Sequence, residues 1–118
     1  VARASELALA NGGSVSVSNS PAEAIAGADV VATDTWVSMG QESEKQERLR
    51  AFSGFTIDAA LMGQAKSDAI VLHCLPAYRG YEISAEVLDG PQSVIWDQAE
   101  NRLHAQKALM VWLAQSGK

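Results

Sequence analysis

Residues 68–80 read DAIVLHCLPAYRG. Its uninterrupted apolar run, AIVL, is typical of a parallel strand that is buried on both faces. The strand leads into His73 and into Cys74, the only cysteine of the chain, before Leu75-Pro76 starts a loop. Ligands of parallel sheets bind beyond the carboxyl ends of the strands. The stretch therefore predicts a site at the end of a buried strand.

Further strands and helices are predicted on both sides of this stretch. Residues 28–34, ADVVATD, form a second apolar run, and residues 93–96, SVIW, predict a third strand. The alternation in SVSVS, residues 14–18, predicts another short strand. Strands that alternate with helices make βαβ units, so we expect an α/β fold with a parallel sheet covered on both sides. The predicted helices span 2–11, 21–27, 42–52, 59–65, 85–89 and 99–115.

Capping residues mark the starts of three predicted helices. Ser20 precedes Pro21 and stands three residues before Glu23, which is the pattern of a capping box. Asp58 and Ser84 are placed to cap the helices that follow them.

Composition excludes several classes of protein. The formal net charge of −5, with scattered Lys and Arg, argues against a nucleic-acid partner. No apolar stretch reaches the roughly 18 residues that a membrane span needs. A single cysteine cannot form an intrachain disulfide, which favours a reducing, cytoplasmic location. The chain has no GxGxxG motif for a dinucleotide, and His73, Cys74 and His104 lack the spacing of a metal site.

The predicted strand ends carry the residues with chemical potential. Asp34 ends one strand, His73 and Cys74 end another, and a third leads towards Arg102. Taken singly, each has an ordinary structural explanation, such as an inert thiol for Cys74 or a helix cap for Asp34. Their order along the chain, rather than any one residue, points to a function.

Three motifs in that order resemble the ornithine-binding, carboxyl-terminal half of the ornithine carbamoyltransferases. HCLP with AENR is typical of the wider carbamoyltransferase group, and the triplet SMG narrows the resemblance to the ornithine enzymes. The likeness extends from about Pro21 to Leu113. The motifs are DTWVSMGQE (34–42), HCLPAYRG (73–80) and AENRLHAQKAL (99–109), and DGPQSVIWDQAEN (89–101) continues them.

The resemblance implies a fold and a domain organisation. The fold class is α/β: a Rossmann-like, three-layer αβα arrangement with a mostly parallel sheet, in a single partial domain. Residues 1–118 would be the ornithine-binding domain, truncated at its N-terminal side, with the carbamoyl-phosphate-binding domain absent. The family's phosphate-binding Ser-Thr-Arg-Thr segment does not occur in this sequence. Because that segment belongs to the N-terminal domain of relatives, we expect the chain alone to be inactive. The same domain forms most of the interface of the homotrimer in relatives, so the parent protein is expected to be a homotrimer.

The resemblance also implies a reaction. The family transfers the carbamoyl group of carbamoyl phosphate to the δ-amine of L-ornithine, giving L-citrulline and phosphate, in arginine biosynthesis or the arginine deiminase pathway. It uses no metal or organic cofactor, so the expected partners are these two small molecules, with no nucleic acid and no membrane.

Site residues follow from the same resemblance. Asp34 would bind the α-ammonium of ornithine and take part in catalysis, while Ser38 and Met39 would meet the amino acid's polar end. Cys74 would be a catalytic and carbamoyl-phosphate-binding residue beside the δ-amine, where a thiolate needs positive neighbours to form. The carbonyl of Leu75 would hold the carbamoyl NH2, and Arg102 would bind carbamoyl phosphate. His73 would support the site, and the Leu75-Pro76 peptide is expected to be cis.

One departure and several alternatives remain. Tyr78 stands where many relatives have His, on the loop just after the motif. A carbamoyltransferase for another amine or amino acid, a non-catalytic amino-acid-binding module and a Rossmann-like domain with coincidental motifs are the alternative interpretations. We also expect an exposed apolar face on the last helix, formed by Leu109, Met110, Trp112 and Leu113.

Overall fold

Two parallel strands form the centre of the computed structural model, which describes residues 1–38, 40 and 42–117. These strands are β1 (Val30–Thr33) and β2 (Ile70–His73), and Thr33 lies opposite His73 in their register. They confirm the strands predicted at 28–34 and in the stretch 68–80. Because the strands run parallel, their carboxyl ends lie at the same edge of the sheet.

Short helices and one long helix precede, connect and follow the two strands in the described part of the chain. The capping predictions are confirmed: Ser20, Asp58 and Ser84 accept hydrogen bonds from backbone N–H groups in the first turns. The reciprocal half of the capping box is not made, because the Ser20 N–H donates to Ser18 Oγ instead of to Glu23. The helices are α1 (Ala2–Ala10), α2 (Pro21–Ile25), α3 (Lys45–Ala51), α4 (Ala59–Met62), α5 (Ala85–Leu88) and α6 (Ile95–Ser116), and a 3-10 turn spans Glu42–Glu44.

The core lies against one face of the two strands. Side chains alternate along a strand, so Val31 and Val71 point to this face and are buried, whereas Val30 and Ile70 point to the other face and stay 50% and 37% exposed. The prediction that these strands are buried on both faces is therefore wrong at Val30 and Ile70. The loop and helix residues that complete the core are Ile25, Ile57, Met62, Ala69, Ile83, Val87, Leu88 and Ile95.

The prediction of a strand at residues 14–18 is wrong. These residues pair with no strand in the described part of the chain, although their sequence alternates. Val15 and Val17, which would have faced a core, are 43% and 74% exposed. Alternation favours a strand only where a neighbour supplies backbone partners and a surface to pack on, and neither is present here.

The prediction of a third strand at 93–96 is also wrong, except at Ser93. Ser93 forms a single parallel bridge with Val71, and α6 then begins at Ile95, four residues before the predicted start of the last helix. The carbonyl of Val94 accepts a hydrogen bond within the first turn of α6, so it cannot continue the ladder with β2. A helix therefore starts where the apolar sequence predicts a strand.

The long helix α6 extends well beyond the core. Its 22 residues would span about 33 Å at the usual helical rise, and the longest dimension of the molecule is 52 Å. The predicted exposure of its apolar face is confirmed, since Leu109, Met110, Trp112 and Leu113 are all more than half exposed. In the described part of the chain, no helix combines the length and apolar character needed to cross a membrane.

Candidate functional site

Asp34 and Cys74 lie side by side at the carboxyl ends of the two strands. Each residue directly follows its strand, and the register that pairs Thr33 with His73 makes the next two residues neighbours. Both line a cavity of about 380 Å³ to which Gln98 of α6 also contributes. The structure thus brings together a carboxyl group and a thiol that are 40 residues apart in the sequence.

Asp34 and Cys74 shift each other's pKa in opposite directions. The hydrogen bond from the Cys74 thiol is the main reason that the pKa of Asp34 is lowered, and the Thr35 N–H, 2.6 Å from Asp34 Oδ1, lowers it further. The same hydrogen bond is the main reason that the pKa of Cys74 is raised, and the positive charge of Arg102 opposes this only slightly. At neutral pH the pair is a carboxylate and a protonated thiol, so a thiolate is not the resting form of Cys74.

Leu75 turns the chain sharply after Cys74. The Leu75-Pro76 peptide is cis, as predicted, and Leu75 has a φ of 56°, in the left-handed region that costs a non-glycine residue about 1–3 kcal/mol. His73 Nδ1 accepts a hydrogen bond from the Leu75 N–H at 2.9 Å, which helps to hold this conformation. Among the described residues no donor reaches the Leu75 carbonyl, so this oxygen is available to a ligand.

A buried pair of His73 and Glu82 stabilises the turn at Leu75-Pro76. Both residues are almost fully buried, and His73 Nε2 lies 3.1 Å from Glu82 Oε1. Since Nδ1 of His73 accepts from the Leu75 N–H, the imidazole proton is on Nε2 and is donated to Glu82. Glu82 Oε1 also accepts the Tyr78 N–H at 2.6 Å, so one carboxylate oxygen joins the strand end to the loop after it.

Helix α6 approaches the end of β2 with two polar side chains. Arg102 Nη1 donates a long hydrogen bond of 3.5 Å to the carbonyl of Cys74. One turn earlier, Gln98 Oε1 accepts the His73 N–H at 2.9 Å. The guanidinium of Arg102 is therefore close to the thiol and remains exposed to solvent.

The loop after β1 is anchored by aromatic packing. Trp36 stacks on Phe52 with 5.7 Å between ring centroids, beside a second cavity of about 580 Å³ that Asp34 also lines. Ser38, one of the predicted ornithine-binding residues, is exposed on this loop. Met39, the other, lies outside the described residues.

Comparison with known proteins identifies the family. Residues 1–113 match the family model of the aspartate/ornithine carbamoyltransferases, specifically the aspartate/ornithine-binding domain. The chain belongs to the aspartate/ornithine carbamoyltransferase family. It is 63% identical over 110 residues to an ornithine carbamoyltransferase of Wolinella succinogenes, covering 93% of this chain and 36% of the relative. It is 67% identical over 104 residues to one of Renibacterium salmoninarum, covering 88% of this chain and 33% of the relative.

Solved structures of carbamoyltransferases agree with this assignment. The anabolic ornithine carbamoyltransferase of Campylobacter jejuni is 47% identical and superposes with a TM-score of 0.87, covering 94% of this chain and 37% of that one. This likeness confirms the predicted Rossmann-like α/β fold class. The chain spans about a third of the length of the curated relatives it matches.

Two residues of this site were not singled out by the sequence motifs. Glu82 is one acidic residue between Tyr81 and Ile83, and only its burial beside His73 shows its importance. A buried histidine needs polar partners, which was the one indication that such an acid should exist. Gln98 falls between the strand predicted at 93–96 and the helix predicted at 99–115. Among the described residues, no group of three or more His, Cys, Asp or Glu side chains is arranged to hold a metal ion.

Proposed function

We propose that this chain is the ornithine-binding part of an ornithine carbamoyltransferase, which transfers the carbamoyl group of carbamoyl phosphate to the δ-amine of L-ornithine. The observation that carries the proposal is the juxtaposition of the Asp34 carboxyl group and the Cys74 thiol at adjacent strand ends, where both line one cavity. Its relatives at 63% and 67% identity are both ornithine carbamoyltransferases, which supports the choice of substrate.

In this proposal Asp34 binds the α-ammonium group of ornithine. The lowered pKa keeps its carboxyl group ionised throughout the neutral range, as a charge-assisted contact requires. Ser38, exposed on the loop that follows β1, and Met39 are the proposed contacts for the rest of the amino acid's polar end.

Cys74, Leu75 and Arg102 act at the reacting end. The lone pair of the deprotonated δ-amine forms the new N–C bond, and the C–O bond to phosphate breaks, so that phosphate leaves with the electron pair of that C–O bond. The nitrogen then loses one proton, which the leaving phosphate can accept. The Leu75 carbonyl accepts from the carbamoyl NH2, and the Arg102 guanidinium offsets negative charge on carbamoyl phosphate. When the α-ammonium neutralises Asp34, the main cause of the raised pKa of Cys74 weakens, so the thiol loses its own proton more readily and the resulting thiolate can accept a proton from the amine.

The proposal also covers the whole protein from which such a domain comes. Residues 1–118 are proposed to be the ornithine-binding domain, with the carbamoyl-phosphate-binding domain outside this sequence. By family resemblance the assembly is a cytoplasmic homotrimer that serves arginine biosynthesis or the arginine deiminase pathway, without a metal or organic cofactor.

The chain by itself is expected to form no citrulline. It spans about a third of its relatives and its sequence lacks the family's Ser-Thr-Arg-Thr segment for binding phosphate. The measurement is citrulline formation by the purified 118-residue chain with both substrates. Citrulline that rises in proportion to the amount of chain, above a blank without protein, would contradict this expectation.

Ornithine binding tests the proposed role of Asp34. In calorimetric titrations with L-ornithine, Asp34→Asn is expected to weaken binding by about tenfold or more, because a hydrogen bond to a charged group contributes roughly 1.5–3 kcal/mol. Asp68→Asn, at an exposed aspartate away from the site, is the matched control and should bind like the parent chain.

Competing amines separate the alternatives in the same titration. N-acetyl-L-ornithine lacks a free α-ammonium and putrescine has no α-carboxylate, so both should bind more weakly than ornithine. Tighter binding of either would favour a carbamoyltransferase for another amine. Equal binding by Asp34→Asn and the parent chain would refute the role of Asp34.

A further inference from the structure

Two side chains of α6 hold the end of β2 at its outer edge. Gln98 and Arg102 are four residues apart, so they lie on the same face of the helix. Gln98 Oε1 accepts the N–H of His73 at 2.9 Å, and Arg102 Nη1 donates to the carbonyl of Cys74 at 3.5 Å. Consecutive residues of the strand end are thus held by consecutive turns of one helix.

Gln98 takes the place of a missing strand. Backbone N–H groups two residues apart in a strand point to the same edge, and the Val71 N–H donates to the carbonyl of Gln92 there at 2.8 Å. The His73 N–H points the same way, but α6 has already begun and Val94 uses its carbonyl inside the helix. A buried N–H without an acceptor is costly, and the side-chain oxygen of Gln98 supplies that acceptor.

We infer that Gln98 is a positioning residue of the site, which holds the backbone of His73 so that the Cys74 carbonyl stays within reach of Arg102 and the Cys74 thiol stays against Asp34. The inference rests on the proposed function, because that proposal makes these groups the reacting end. Gln98 itself need not touch either substrate. Its action passes through one backbone hydrogen bond at the strand end.

The surroundings of Gln98 allow the role of its oxygen to be separated from other effects. Gln98 lines the cavity that Asp34 and Cys74 also line. Among the described residues no acceptor meets its Nε2, so the oxygen makes the one side-chain contact that fixes it. Glutamate at this position keeps an acceptor for the His73 N–H and adds negative charge to the cavity, whereas leucine removes the acceptor at similar size.

Two readouts test the inference on the 118-residue chain. The first is hydrogen exchange of the His73 amide by NMR, and the second is the pKa of the Cys74 thiol by thiolate absorbance. Gln98→Leu should speed His73 exchange by about tenfold, the factor that corresponds to a net contribution of about 1.4 kcal/mol from one hydrogen bond. It should also lower the pKa of Cys74 towards its ordinary value, because the thiol is no longer held against Asp34.

Gln98→Glu should behave differently. His73 exchange should stay within about twofold of the parent chain, because an acceptor remains. The pKa of Cys74 should stay raised or rise further, because a carboxylate joins the groups that act on the thiol, Asp34 from β1 and Arg102 from α6. Gln115→Leu, near the exposed end of the same helix, is the control for a change from glutamine to leucine and should move neither readout.

The result that overturns the inference is a Gln98→Leu chain with parental His73 exchange and parental thiol pKa. Equal changes in the leucine and glutamate variants would overturn it as well, because loss of the acceptor would then not be the cause. If circular dichroism shows that the leucine variant does not fold, Gln98→Asn decides, since a side chain shorter by one methylene should also speed His73 exchange. Neither readout needs ornithine or turnover, so failure of the proposed function would show separately in the ornithine titration.

Discussion

Replacing Glu82 with leucine is expected to destabilise the folded chain by about 2–4 kcal/mol. The change leaves two donors without their acceptor, His73 Nε2–H and the Tyr78 N–H, and each unpaired buried donor costs about 1–3 kcal/mol. Removal of a buried carboxylate, one oxygen of which has no partner, offsets part of this loss. Urea unfolding followed by circular dichroism measures the change.

Two further variants make the Glu82 result specific. Glu82→Gln keeps an oxygen that accepts both hydrogen bonds, so its loss should be clearly smaller than that of the leucine variant. Glu86→Leu, at an exposed position in α5, should change stability by no more than about 1 kcal/mol. If the leucine variants at both positions lost the same stability, the buried pair of His73 and Glu82 would not be what holds the loop.

Ile83→Ala is expected to cost about 2–5 kcal/mol, the range for removing most of a fully buried aliphatic side chain. Ile83 is 0% exposed, and its backbone bridges to both Ile57 and Arg79, so it fixes the loop that carries Glu82. Removal of the Ile83 side chain beyond its Cβ would leave a cavity that the surrounding residues can close only in part. Urea unfolding again provides the measurement.

Ile70→Ala is the matched control for this prediction. Ile70 is also an isoleucine of an extended segment, but it lies on the other face of β2 and is 37% exposed. Its replacement should lower the free energy of unfolding by less than about 2 kcal/mol, because folding buries less apolar surface at Ile70 than at Ile83. A loss at Ile70 as large as that at Ile83 would mean that the core does not lie on one face of the strands.

The sequence was informative about the fold where a pattern depended on one segment alone. The apolar run before His73 and the run before Asp34 both form strands, and the caps at Asp58 and Ser84 work as predicted. Strand formation at 14–18 and 93–96 depended on neighbours, which no local pattern contains. The alternating residues 14–18 pair with no strand among the described residues. The predicted third strand does not form because α6 begins earlier than predicted.

The site residues also differ in whether one segment of the sequence was enough to predict them. Asp34 and Cys74 were predicted to converge because each follows a buried run, and parallel strands bring such ends together. Glu82 was missed because its contact with His73 forms only when the loop folds back under β2. Gln98 was missed because its partner is a backbone N–H, which no sequence motif displays. The state of the thiol also required the structure, since Asp34 rather than Arg102 has the larger effect on it.

The contact between Asp34 and Cys74 has a consequence for the chain's behaviour towards oxidants. Peroxides and disulfides react with thiolates, and the neighbouring carboxylate raises the pKa of the exposed Cys74 thiol, which lowers its thiolate fraction further. The accessibility of this cysteine is therefore not matched by chemical reactivity. Sulfenic acid and mixed disulfides should therefore form slowly at Cys74. Asp34, the carboxylate proposed to bind an amino acid, would also slow oxidation of the thiol when no amino acid is bound.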